Sequence, residues 1–141
     1  MRKRTKAREC ALQVLYQVDV TKDDYQTCLD DFWASKKDLD SSITEFASGL
    51  VRGAIENLEK IDKIISAYAT NWQIGRMAIV DRNILRLATY ELLFLSDIPP
   101  KVSINEAVDI AKKYGDRDSG KFVNGILDKI SKEESADEKK S

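Results

Sequence analysis

Residues 99–130 read "PPKVSINEAVDIAKKYGDRDSGKFVNGILDKI", and this stretch decides the fold. Pro99 and Pro100 forbid continuation of any helix that precedes them. Ser103 and Glu106 have the spacing of a capping box, after which Ile104, Ala107, Val108 and Ala111 recur on one helical face. Gly115 suits the left-handed residue that closes a helix. Beyond a short polar turn, Val123, Ile126, Leu127 and Ile130 mark a second amphipathic helix, whose start Asp118 or Ser119 would cap. That last helix breaks two local rules. Gly120 and Gly125 lie in it although an interior glycine costs about 1 kcal/mol relative to alanine, and Lys121 faces the positive end of the helix dipole.

Outward from this stretch the apolar period stays helical. "VDRNILRLATYELLFLSDIPP" (80–100) is a strong helix former that ends at the prolines. Further upstream, Ile43, Phe46, Leu50, Ala54, Leu58, Ile61, Ile65 and Tyr68 run down one face behind a Ser42/Glu45 capping box. So long a run should break near Asn57 into two helices. Gly49 and Gly53, one turn apart within it, read most simply as the place where a neighbouring helix crosses closely. Ala7, Ala11, Val14, Leu15 and Val18 mark a first helix; Tyr25, Cys28, Leu29, Phe32 and Trp33 mark a second behind a Thr21 cap. No strand, repeat or internal linker stands out, so the class is all-α. Residues 131–141, "SKEESADEKKS", have no apolar side chain larger than alanine, and they are expected to form a disordered polar tail after a domain spanning 1–130.

The chain has 141 residues and a formal net charge of −1, which conceals an asymmetry. Residues 1–18 hold Arg2, Lys3, Arg4, Lys6 and Arg8 against Glu9, whereas residues 19–40 hold seven aspartates against Lys22, Lys36 and Lys37. A polarised surface of this kind attracts an anionic partner to one face. No apolar run is long enough to span a bilayer, and the basic start lacks the apolar stretch of a signal peptide, so a cytoplasmic protein is expected. Cys10 and Cys28 sit among apolar residues at helical spacing and read as buried thiols.

Catalysis finds little support. There is no histidine, the commonest general base, and two cysteines alone make no metal site. Gly120 and Lys121 are followed by Phe122 where a P-loop needs Ser or Thr. No cofactor or metal is expected. Binding finds more. Five cations crowd the start of the first helix, where the dipole favours anions. Arg4, Arg8, Leu12 and Tyr16 recur every four residues, grading from cationic to aromatic, which suits single-stranded nucleic acid. A solvated basic end with Tyr16 in the core is the plainer alternative. At the start of the last helix, free N–H groups behind Asp118 or Ser119 would make an anion site that Gly120 lets a ligand approach. Phe122 lies at the core boundary beside it.

Three blocks, "RTKARECALQVLYQVD", "IVDRNILRLATYELLF" and the stretch quoted first, occur in this order through nearly the whole chain up to about Ile130. They resemble the signature blocks of the bacterial antitermination factor family NusB. The resemblance implies an all-α fold of seven helices in two small bundles, with no catalytic role. It also implies boxA RNA and the ribosomal protein NusE as partners, and assembly with other Nus factors on RNA polymerase, notably at ribosomal RNA operons. By position it points to Arg4, Lys6, Arg8, Tyr16, Asp118, Lys121 and Phe122 along the RNA. Thr5 interrupts an arginine run found in relatives, so phosphate attraction should be somewhat weaker here. For NusE it points to Asp81, Arg82, Arg86 and Tyr90 of the fifth helix, where Arg82, Arg86 and Thr89 form the more polar face; ordinary surface charge pairing is the alternative. Some members form homodimers. Two rival classes remain: the NusB-like part of ribosomal RNA cytosine methyltransferases, for whose catalytic domain 141 residues leave no room, and a helical protein-interaction or DNA-contacting module.

Overall fold

A computed structural model describes residues 2–135. The helices are α1 (Lys3–Thr21), α2 (Tyr25–Ala34), α3 (Ser41–Glu56), α4 (Leu58–Tyr68), α5 (Ile79–Phe94), α6 (Pro100–Tyr114) and α7 (Ser119–Ile130), with a 3-10 turn at Ile74–Arg76 and a π turn at Ser131–Ser135. No strand occurs among the described residues. The long apolar run does break at Asn57, and there the chain divides into two compact units.

In the first unit α1, α2 and α3 pack on one another. Ala7, Cys10, Ala11, Val14 and Leu15 of α1, Cys28 and Leu29 of α2, and Ala47, Leu50, Val51 and Ala54 of α3 form its buried apolar core. Both cysteines are free buried thiols, and burial pushes each thiol above its ordinary value. The indole N–H of Trp33 donates to Ser48 Oγ at 3.1 Å.

Helix ends depart from the sequence expectation. Thr21 closes α1 instead of opening α2, its hydroxyl donating to the Gln17 carbonyl, and Lys22 follows in the left-handed region at φ 63°. Asp24 is the cap of α2, accepting from the N–H groups of Gln26 and Thr27. Asp40 takes the role assigned to Ser42, accepting from the Ser42 N–H at 2.8 Å. At Gly49 an added Cβ would meet nothing within 4 Å, so a close helix crossing does not account for that glycine. Gly53 is buried.

In the second unit α5 is the central element, packing against α4, α6 and α7. Ile84, Leu85, Leu87, Ala88, Leu92 and Leu93 bury its apolar surface. Ser103 serves this core and not a capping box: its hydroxyl donates to the buried Glu91 carboxylate at 2.9 Å. The helix starts four residues earlier than a Ser103 cap would have it, with Pro100 in its first turn, where a missing N–H is no loss. Gly115 is extended (φ −89°, ψ −166°), not left-handed. Its requirement is steric, because a Cβ would press on the Ser119 side chain and on the Ala111 carbonyl oxygen at 2.8 Å.

Of the polar stretch expected to be disordered from 131 onward, Ser131–Ser135 are helical, and the Tyr68 hydroxyl hydrogen-bonds Glu134 Oε1 at 3.0 Å. Continuing the backbone ladder of α7 supplies the order that apolar side chains do not. Residues 136–141 lie outside the described residues.

Candidate functional site

The basic start of α1 has no side-chain cap at Arg2 and no acidic residue in its first turn, so nothing within the helix offsets the positive end of its dipole. Lys3 pairs with Asp40 at 2.9 Å. The Ser42 hydroxyl, with Lys3 and the Ser42 N–H, holds the Asp40 carboxyl well below the usual carboxylate range. Arg4 is exposed, Lys6 half-buried, and Tyr16 is 41% exposed.

Arg8 departs from the expectation. It is 2% exposed, and its guanidinium lies 5.6 Å from the centroid of the Phe46 ring, over which Arg4 also sits at 4.5 Å. Leu12 is buried as well. The proposed four-residue stripe is thus not a surface: Arg4 and Tyr16 reach solvent about 18 Å apart along the helix, by the rise of about 1.5 Å per residue, and the two side chains between them turn inward. Four-residue spacing drifts around a helix, which carries the middle of such a stripe onto the buried face.

At the start of α7, Asp118 and Lys121 are exposed and Phe122 is half-buried. Asp118 makes no side-chain cap. The turn is organised by Asp116, whose N–H donates to Ser119 Oγ at 2.9 Å and whose carboxylate accepts from the Asp118 N–H at 2.9 Å. Gly120 is buried, and a Cβ there would come within 3.0 Å of Lys112 Cγ, so this glycine accommodates α6 and not a ligand. Nothing within 4 Å requires Gly125.

Phe122 meets Trp72 edge-to-face, with centroids 5.8 Å apart and planes at 78°. Trp72 is 54% exposed. Both rings line a cavity of about 260 Å³ whose polar lining includes Asp81, Asp116, Asp118 and Ser119. Asp81 was expected on a partner face; it is instead 8% exposed, and its Oδ1 is buried without a hydrogen-bond partner. Three carboxylates beside the α7 N-terminus make this a poor seat for a phosphate and a good one for hydrogen-bond donors.

The outer face of α5 is also rearranged. The Arg86 guanidinium is committed internally, bidentate to Asp62 (Nε–Oδ1 2.9 Å, Nη2–Oδ2 3.0 Å) and donating to Asn83 Oδ1 at 3.2 Å. Thr89 is fully buried. Arg82 is half-buried and donates to the Gly75 carbonyl at 3.3 Å. What α5 does present is Tyr90 stacked on Phe94, centroids 5.3 Å apart, with Lys60 Nζ 5.2 Å from the Phe94 centroid. Phe94 is 39% exposed. Among the described residues no group of three or more His, Cys, Asp or Glu could hold a metal ion, and no helix is long and apolar enough to cross a membrane.

The model of the NusB family matches residues 5–132. The chain belongs to the NusB family. The transcription antitermination protein NusB of Anaeromyxobacter dehalogenans is 50% identical over 128 residues, covering 91% of this chain and 89% of that protein. The NusB of Pseudothermotoga lettingae is 44% identical over 142 residues, covering 99% of each. Among solved structures, T. maritima NusB has a TM-score of 0.89 at 45% identity, covering 96% of this chain and 95% of that one. A crystal structure of antitermination factors NusB and NusE in complex with dsRNA has a chain with a TM-score of 0.86 at 37% identity, covering 94% of this chain and 98% of that one. Membership in NusB makes this a non-catalytic protein of transcription antitermination.

Sequence reasoning missed Trp72, Phe94 and Lys60. The signal for Trp72 was an aromatic in the aperiodic polar stretch "ATNWQIGR" (69–76), where no core face claims it. Asp81 yields a test of its environment. Burial pushes its carboxyl above the ordinary value, the Ser119 hydroxyl opposes this, and the Asp116 charge adds to it. The folded state therefore binds the proton more tightly than the unfolded chain. The favourable contribution is full below the ordinary value of about 3.9 and is lost as pH rises through the folded value. Asp81→Asn should accordingly be more stable than wild type at neutral pH, with the advantage vanishing in acid. Urea unfolding at both ends of that range checks it; an advantage independent of pH would remove the assignment.

Proposed function

We propose that this protein is an antitermination factor that binds single-stranded boxA RNA together with ribosomal protein NusE. In the cytoplasm it helps assemble the antitermination complex with other Nus factors on RNA polymerase, notably at ribosomal RNA operons. The observation that carries the reading is the fold, which over 94% of this chain follows a chain of the structure of antitermination factors NusB and NusE in complex with dsRNA. Residues 1–130 carry this function. Arg4 and Lys6 attract phosphates at one place, and Tyr16 offers an exposed ring. Lys121 supplies charge at another, where Phe122 and Trp72 supply stacking faces. For NusE, the Tyr90–Phe94 stack with Lys60 replaces Asp81 and Arg86 as the contact surface, and Arg82 stays at its margin.

Binding of boxA RNA, measured across a salt series with and without NusE, tests this. Log affinity should fall with log salt by about 0.7 per phosphate neutralised, so Arg4→Ala with Lys6→Ala should flatten the slope by about 1.4. Weakening should be uniform across RNA sequences, because phosphate contacts carry no sequence information. Unchanged affinity and slope in a folded double variant would return these cations to plain solvation. A preference for duplex DNA of equal length would favour the DNA-contacting module instead.

A further inference from the structure

The basic start of α1 meets an anion supplied by the chain itself. Lys3 Nζ lies 2.9 Å from Asp40 Oδ2, while Asp40 Oδ1 accepts from the Ser42 N–H at 2.8 Å and from the Ser42 hydroxyl at 2.7 Å. Asp40 immediately precedes α3, and its carbonyl oxygen accepts from the N–H groups of Ile43 and Thr44. The same residue therefore caps α3 and holds a lysine of α1. Asp38, in the left-handed region at φ 60°, turns the chain just before it. Helix α3 touches the start of α1 again through Phe46, over whose ring Arg4 sits at 4.5 Å.

The two sides of this contact are unequally committed. Ser42 keeps Asp40 hydrogen-bonded and anionic whether or not Lys3 is present. The Lys3 side chain is 66% exposed and that of Asp40 42%, so the pair is weak and Lys3 can swing away. A phosphate that reaches Lys3 must displace the carboxylate or lie beside it as a second anion. We infer that Asp40 is an internal competitor for RNA: its carboxylate occupies Lys3 where a phosphate would bind, and so lowers the affinity of the basic start of α1 for the RNA backbone. The inference rests on the RNA reading above and adds a restraint to it. Arg4 and Lys6 attract phosphates within the same turn, and Lys3 joins them only at the expense of Asp40. Phosphate contacts carry no sequence information, so the restraint acts on boxA and unrelated RNA alike.

The test is RNA binding by the full chain across a salt series, with boxA RNA and an unrelated RNA of equal length. Asp40→Asn keeps a capable N-cap and removes the charge. It should tighten binding of both RNAs by about two- to fivefold at low salt, the fold-change that corresponds to an exposed ion pair. The salt slope should steepen by up to about 0.7 as Lys3 joins the phosphate contacts. Adding Lys3→Ala should cancel both changes. Asp38→Asn removes a nearby charge at a left-handed position that asparagine tolerates, and it measures what charge removal does without releasing Lys3. Its gain should be distinctly smaller. Asp40→Ser, a second uncharged cap, repeats the measurement should Asp40→Asn fold poorly. The inference is overturned if the folded Asp40 variants bind RNA no more tightly than wild type, if Asp38→Asn matches them, or if the gain survives Lys3→Ala. Each of these outcomes counts while Arg4→Ala with Lys6→Ala still flattens the slope as described above. A slope that this double variant leaves unchanged would sink the RNA reading itself, and this inference with it.

Discussion

Phe122→Ala should lower RNA affinity by about 1–3 kcal/mol, the range for loss of one stacking platform, with a smaller effect on folding. A fully buried phenylalanine would cost about 3–5 kcal/mol of stability on truncation, but this ring is only half-buried. Its defined neighbour is the Trp72 ring, with centroids 5.8 Å apart in an edge-to-face pair, a contact worth about 0.5–1.5 kcal/mol beyond area. Phe122→Leu separates the two roles. Leucine keeps the apolar bulk and removes the π face, so stability should hold while affinity drops. RNA anisotropy and urea unfolding on the same samples give both quantities. Wild-type affinity in Phe122→Leu would mean that the ring only fills the core rim.

Helical periodicity made the fold legible, because each buried face recurs at the helix repeat: Ile43, Leu50, Ala54, Ile61 and Ile65 are all buried as their spacing demands. Caps were less legible. Ser103 has a hydroxyl at a capping position, but in the folded chain Glu91 is buried at 1% exposure and needs a donor, and that tertiary demand takes the hydroxyl. Local rules state what a side chain can do near its own backbone; the core decides whether it is free to do it.

The candidate site was half legible for a related reason. Phe122 and Lys121 are neighbours in sequence, so the start of α7 could be singled out. Asp81 and Trp72 come from α5 and the loop before it, and only folding brings them to Asp116 and Ser119 around one cavity. Arg8 failed in the opposite direction. Counting arginines as solvated made it a surface cation, whereas its long apolar stem and flat guanidinium let it lie buried against Phe46.

Arg86→Ala should be the most destabilising of these single changes. Arg86 joins α5 to α4 through two parallel hydrogen bonds to Asp62, and a third, to Asn83 within α5, holds the guanidinium in place. Breaking a fully buried pair costs about 3–5 kcal/mol, but the side chains of Arg86 and Asp62 are 13% and 25% exposed. Water therefore partly relieves the orphaned carboxylate, and about 2–3 kcal/mol is expected after that screening. The penalty lies mainly in stranding Asp62, so adding Asp62→Ala should recover a good part of it, and a double-mutant cycle by urea unfolding measures how much. The same variants decide what the outer face of α5 is for. If Arg86 held NusE, Arg86→Ala would weaken that complex at little cost in stability, and Asp62→Ala would repair nothing. With the guanidinium turned inward, stability should fall first, NusE binding should follow only through unfolding, and Phe94→Ala should weaken the complex while leaving the Arg86–Asp62 pair intact.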